Sequence, residues 1–237
     1  MQRILGYVRR AVDDYKMINE GDRIAVGVSG GKDSVTLALA LNALSRFYPK
    51  KFEVVPVMLD MGFSGMDFTP LKAFFAENGM GLHIFDTNIY QIVFEIRKET
   101  NPCSLCSKLR RGALHNNALA LGCNKVALGH HHDDVVETFF LSLFYEGRIN
   151  CFSPLTYLDR KKIFLIRPLI YMKEKDIKNF VENKNIVTVK SSCPSDGNTK
   201  RQYIKELLSS LEMENHGLRE QIFTAVKGSL DDWKLEM

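Results

Sequence analysis

An α/β protein, a parallel sheet with helices on both faces, is what three features of the sequence predict. Short apolar runs of strand type alternate with segments whose apolar residues recur at helical spacing. The chemically unusual residues cluster where strands end and helices begin, which is where parallel sheets bind their ligands. A chain of 237 residues, 45% hydrophobic and 25% charged, has the length and balance to bury such a sheet.

Residues 2–18 set Ile4, Leu5, Val8, Val12 and Tyr15 on one stripe and predict an amphipathic helix. Residues 23–28 are the first strand, and after a glycine turn residues 35–47 read as a helix. Residues 52–59 form a second buried strand, ended by Asp60. A helix over 69–78, a strand over 81–85 and a helix over 89–97 follow. Beyond a turn that carries two cysteines, residues 105–121 read as a helix stopped by Gly122. A strand over 124–129, a helix over 133–145 and a strand over 163–167, stopped by Pro168, come next. Residues 173–184, 200–214 and 218–229 read as helices. No repeat or low-complexity linker divides the chain. One domain over 1–237 is expected, with the amphipathic helix in front and a helical extension from about 198 behind.

Net charge is only +4, but it is unevenly placed. Residues 97–111 hold five Lys and Arg against Glu99, and residues 160–201 hold eleven against four acids. Two basic segments suit a polyanion such as RNA, bound by phosphate neutralisation. A solvated lysine-rich face is the alternative. No apolar run reaches the ~18 residues of a membrane span, and Arg9, Arg10, Asp13 and Asp14 break any signal-peptide core. The expectation is a cytoplasmic protein with no membrane partner. Five cysteines, an odd number, argue against a closed disulfide framework there.

Ser29-Gly30-Gly31-Lys32-Asp33-Ser34 follows the first strand. The glycines allow a tight turn with N–H groups unshielded by Cβ, and the next helix aims its positive end at the same spot. Ser29 and Ser34 add hydroxyls, and Lys32 adds a cation. The spacing of a Walker loop is absent. A capped strand-to-helix turn would explain a lone Gly-Gly but not the whole hexapeptide, so an anion site is expected here.

A second strand end carries Gly129, His130, Asp133 and Asp134. Carboxylates there suit Mg²⁺ bridging phosphates, or they cap the helix. Asp133 is the preferred functional residue of the two. His130, His131 and His132 suggest zinc, but three adjacent residues at a strand end cannot all face one ion. Asp60 is either a turn residue or a nucleotide contact. Arg110 and Arg111 are surface residues, or cations near developing negative charge. Cys103 and Cys106 form a Cys-x-x-Cys behind Pro102, and Cys193 is a third candidate ligand. A structural zinc site, a redox pair and unrelated thiols are all compatible with that spacing. So is a cubane cluster on three thiolates with one iron open. Cys123 and Cys151 read as ordinary buried or loop thiols.

The hexapeptide behind Val26-Gly27-Val28 resembles the PP-loop of the N-type ATP pyrophosphatases, which split ATP to AMP and pyrophosphate. Residues 102–112 and 128–141 are similar to the central signatures of the tRNA 2-thiocytidine synthetase (TtcA-like) family. Ile166-Arg167-Pro168-Leu169 with residues 173–177 resembles a further family segment, and the likeness runs from about Gly21 to Cys193. The resemblance implies the adenine nucleotide alpha hydrolase-like (PP-loop) fold. It implies ATP and Mg²⁺ at Val28, Ser29, Gly30, Gly31, Lys32, Asp33, Ser34, Asp60, Gly129, His130 and Asp133. It further implies a [4Fe-4S] cluster on Cys103, Cys106 and Cys193, with Asp60, Arg111 and Asp133 serving the reaction. That reaction would be thiolation at O2 of a tRNA pyrimidine, a cytidine of the anticodon loop, from sulfide or a cysteine desulfurase persulfide. One departure stands out: Cys193-Pro194-Ser195-Asp196 offers one thiol where family members tend to carry a second Cys-x-x-Cys. Small-molecule synthetases that share the loop, a different tRNA base, and a nucleotide-binding sensor are the competing readings. The amphipathic N-terminal helix offers a surface for a homodimer.

Overall fold

The computed structural model describes residues 1–98, 102–189, 192–194 and 199–234. Six strands form one sheet in the order β3-β2-β1-β4-β6-β5: β1 (Asp22–Val28), β2 (Phe52–Asp60), β3 (His83–Asp86), β4 (Lys125–Ala127), β5 (Leu155–Leu158) and β6 (Ile163–Ile166). All neighbours pair in parallel except β5, which runs antiparallel to β6 at the edge. Sequence reading missed β5, because Leu155–Leu158 is too short and too polar in its surroundings to register as an apolar run.

The central strands are apolar on both faces because both are covered. On one face lie α1 (Gln2–Asp14) and α2 (Lys32–Ser45), and on the other α4 (Pro102–Ala120), packed against β2 and β4. Residues Val35, Leu37, Ala38, Leu39, Ala40 and Leu41 of α2 are all buried, as suits a helix enclosed between α1, the sheet and α6 (Glu174–Asn183). The remaining helices are α3 (Thr69–Glu77), α5 (His132–Glu146), α7 (Lys200–Glu214) and α8 (Leu218–Ser229). The last two match the expected spans, and a final 3₁₀ turn buries Trp233 against Tyr15 and Phe223. The ends of the predicted extension, 198 and 235–237, lie outside the described residues, as do Ser195 and Asp196.

Three expectations are corrected. The helix expected over 89–97 is a π-helical turn, Gln91–Ile96. The helix expected from 105 starts three residues earlier, so Cys103 lies in its first turn and not ahead of it: α4 begins at Pro102, since proline fits the first helical position, where no N–H partner is needed. Finally, Ile4, Val8, Ala11 and Val12, the apolar stripe of α1, are at most 4% exposed against the chain's own core. That stripe therefore offers no surface to a second copy.

Lys125 at the start of β4 is buried, and its ammonium donates to Asp22 at 2.7 Å and to the Met17 carbonyl at 2.9 Å. Breaking a buried pair strands the remaining charge. Asp22→Asn is expected to cost about 3–5 kcal/mol in urea unfolding, with part of the loss recovered in Asp22→Asn/Lys125→Met.

Candidate active site

Strand order reverses direction at β1 and β4, the two strands whose carboxyl ends carry the loop 29–34 and residues 129–134. Such a switch point opens a crevice above the sheet. The two strand ends meet closely there. A Cβ at Gly129 would sit 3.1 Å from Asp33 C and Ser34 N, so only glycine lets β4 reach the amino end of α2. Val28, the last residue of β1, is buried beneath the loop.

The loop is tied by its own side chains. Ser29 N–H donates to Ser34 Oγ at 3.0 Å, and Ser34 O–H donates to the Gly31 carbonyl at 2.9 Å. Gly30 takes φ +85°, which favours glycine, and its carbonyl accepts from Val189 N–H at 2.9 Å. The chain leading to Cys193 is thus pinned to the phosphate loop. Ser192, next to that cysteine, contacts Met66 Sδ at 3.1 Å.

A cavity of about 420 Å³ opens beside the loop. Lys32 lies between Asp33 at 3.0 Å and Glu174 at 3.1 Å. Burial opposes its charge, but the two carboxylates outweigh it and raise its pKa. From α7, Lys205 reaches Glu174 at 2.8 Å, and Arg201 reaches Glu137 at 3.2 Å and Asp134 at 3.5 Å. Burial pushes the Glu137 carboxyl up, Asp134 adds to it, and Arg201 counters. Sequence reasoning assigned no role to Arg201 or Lys205, since nothing local shows that α7 folds back over the loop.

The two adjacent carboxylates face different neighbours. Asp133 accepts from Glu174 N–H at 2.7 Å, capping α6, and meets Arg219 at 3.4 Å. Asp134 accepts from His131 N–H at 3.0 Å and lines the cavity together with Asp33. The three histidines diverge, as their adjacency requires. His130 stacks on Phe152, His131 lies 3.7 Å from Asp33, and His132 stacks on Phe223. Asp60 turns its own chain, accepting from Gly62 N–H at 2.8 Å. Arg111 is exposed on α4, one turn from buried His115, whose pKa falls through burial and then through Arg111.

The helix α4 connects the carboxyl end of β3 to the amino end of β4, so its first turn lies at the same sheet edge as the loop. Cys103 is exposed there and Cys106 half-buried, on one helical face. Burial pushes the Cys106 thiol up, Arg110 lowers it, and Cys193 and Cys103 raise it again, so Cys106 lies within electrostatic reach of both other thiols. Among the described residues no three ligands converge tightly enough for a single metal ion. An all-thiol set is the chemistry by which proteins hold an iron–sulfur cluster, and Cys103, Cys106 and Cys193 are of that type. Asp33 fits a hard cation: its Oδ1 is buried without a hydrogen-bond partner among the described residues, and it lines the same cavity as Asp134.

A glycine-rich phosphate loop at the switch point of a mostly parallel sheet defines the class: a nucleotide-binding PP-loop protein. Residues 7–211 match the PP-loop domain family. The chain belongs to that family and, within it, to the tRNA-cytidine(32) 2-sulfurtransferases. It is 41% identical over 228 residues to that enzyme of Pelobacter propionicus, covering 95% of this chain and 85% of the relative. Against the Geobacter sulfurreducens enzyme it is 40% identical, covering 95% and 89%. Its fold matches the U34-tRNA thiolase NcsA from Methanococcus maripaludis, solved with its [4Fe-4S] cluster (TM-score 0.80, 23% identity, 96% and 77% covered). It also matches the NH3-dependent NAD synthetase from Campylobacter jejuni (TM-score 0.54, 16% identity, 100% and 97% covered).

Glu174 carries the cavity's clearest pH dependence. Burial raises its pKa, but Lys205 and Lys32 outweigh that and hold it at about 2, against an ordinary 4.5. A carboxyl depressed in the folded state stabilises above its ordinary pKa, and that contribution is lost as pH falls toward the folded value. Glu174→Gln should therefore flatten the acid loss of stability below pH 4.5, by about 3 kcal/mol in urea unfolding across a pH series.

Proposed function

We propose that this chain uses ATP to replace O2 of a tRNA cytidine, position 32 as in its named relatives, with sulfur. The phosphate loop, with a Cys106 that senses both Cys103 and Cys193 at the same carboxyl end of the sheet, carries this reading. Family membership supports it. A tRNA substrate makes it a cytoplasmic enzyme.

In this reading the backbone N–H groups of the loop and the end of α2 hold the phosphates of ATP. Lys32, Arg201 and Lys205 supply cations, releasing the carboxylates they hold when phosphate is absent. Asp33 and Asp134 are the residues suited to Mg²⁺. O2 of cytidine attacks the α-phosphorus, and the bond to pyrophosphate breaks. Hydrosulfide then adds at C2, and AMP leaves with the original oxygen. This splits one difficult exchange into two feasible steps. A [4Fe-4S] cluster held by Cys103, Cys106 and Cys193 would, when bound, supply an open iron for the sulfur. The sulfur comes from sulfide, or from a cysteine desulfurase persulfide after a thiol reductant has supplied the two electrons that release it as hydrosulfide.

Exposed Lys108, Arg110 and Arg111 in the first half of α4 form the basic surface for tRNA on the crevice side, and Arg160, Lys161 and Lys162, in the β5–β6 turn at the amino end of the sheet, extend it away from the crevice. Lys161 donates to Asn116 of α4 at 2.7 Å, which ties the β5–β6 turn to the last turns of that helix. The target base must be splayed from its loop to reach the crevice.

Protein reconstituted without oxygen and given ATP, sulfide and tRNA should form 2-thiocytidine, read by nucleoside mass spectrometry. No thiolated nucleoside would overturn the proposal. Cys106→Ala should abolish thiolation while tRNA-dependent pyrophosphate release persists. Arg160→Glu/Lys162→Glu should weaken tRNA binding about tenfold at low salt and flatten its salt dependence, with ATP affinity unchanged.

A further inference from the structure

Arg167, at the end of β6, is only 6% exposed, yet among the described residues it has no carboxylate partner. A buried cation left in that state is costly unless its hydrogen bonds are well used. Its NH1 donates to the Ser153 carbonyl and to Thr156 Oγ1. Its Nε donates to Nδ1 of His130 at 3.3 Å. Both side chains lie against the ring of Phe152, with the guanidinium 4.8 Å and the imidazole 4.7 Å from its centre.

A guanidinium only donates. His130 Nδ1 must therefore accept, which leaves the imidazole proton on Nε2. Protonating Nδ1 as well would set two donors and two positive charges face to face. Burial, the largest effect, and Arg167 lower the His130 pKa, while Asp134 opposes them; the result is about 4, consistent with a neutral ring. Nε2–H has no protein partner among the described residues and is not enclosed, so it meets solvent. His130 directly follows Gly129, whose backbone presses on the amino end of α2, where phosphate binds.

We propose that Arg167 is a positioning residue that locks His130 as the neutral Nε2–H tautomer, so that His130 donates a hydrogen bond to a phosphate oxygen of the reacting nucleotide and cannot act as its base. The proposal rests on the reading of the crevice as an ATP site. A neutral donor serves there because it stabilises charge developing on the phosphate without exchanging a proton. The geometry is the second-shell logic by which one ring nitrogen's partner sets the other's role.

Two readouts test it. Long-range proton–nitrogen NMR of the imidazole should show Nε2–H alone in the wild-type chain at neutral pH, and mixed tautomers in Arg167→Met, which keeps much of the packing on Phe152. In tRNA-dependent pyrophosphate release, His130→Leu should lower kcat about 10²-fold. His130→Gln, whose amide keeps a donor near Nε2, should lose far less. Arg167→Met should cost about 10–100-fold in the wild-type background, chiefly in kcat. It should cost little in the His130→Gln background, where no tautomer needs fixing. Equal losses in both backgrounds, an unchanged tautomer in Arg167→Met, or His130→Gln as inactive as His130→Leu would overturn the proposal. Absence of pyrophosphate release from the wild-type chain would instead count against the thiolase reading, and the NMR result would still judge the tautomer.

Discussion

The site depends on one close approach, that of β4 to the phosphate loop at Gly129. A Cβ there would lie 3.1 Å from backbone atoms of Asp33 and Ser34, and backbone cannot swing aside as a flexible side chain can. Because this contact is permitted, the two strand ends at the switch point share one crevice. Asp134 and His131 consequently face the same cavity as Lys32 and Asp33. Without it the hexapeptide would still form an anion-binding turn, but the second strand end would stand apart from it.

Charge compensation is the second constraint. Lys32, Arg201 and Lys205 face Asp33, Asp134, Glu137 and Glu174 across the cavity, so the cations that suit phosphate are already paired. Burial opposes the charge of Lys32, and its two carboxylates offset that cost. Glu174 is the hub, meeting Lys32 and Lys205, while its backbone N–H is held by Asp133. Nucleotide binding therefore exchanges partners within a network, and only the difference between the two sets of ion pairs contributes to affinity.

The fold was legible in the sequence wherever a strand was buried on both faces or a helix kept a steady stripe. The expected spans of α7 and α8 and the parallel order around β1 follow from such patterns. The edge strand β5 escaped because an edge needs little apolar content. The start of α4 escaped because Pro102 read as a turn signal when it occupies the first helical position. At the site, the loop and the cysteines were visible because they are local motifs. Arg201, Lys205 and Glu137 were not, since each matters through a contact distant in sequence. The choice between Asp133 and Asp134 is a matter of rotation: adjacent residues in the first turn of α5 point about 100° apart, and sequence spacing does not say which one faces the crevice.

The same limit explains why three histidines in a row do three different things. His132 is buried by stacking on Phe223, which ties α5 to α8. His131 caps α5 through its backbone and leans toward Asp33. His130 precedes the helix and turns toward β6, where Arg167 meets it. A residue at the strand end, before helical geometry sets in, can reach the neighbouring strand. Tautomer control is thus a consequence of position. The sheet places β6 beside β4, β6 leads into an arginine with no acid to neutralise it among the described residues, and the His130 imidazole is one of the acceptors that arginine finds.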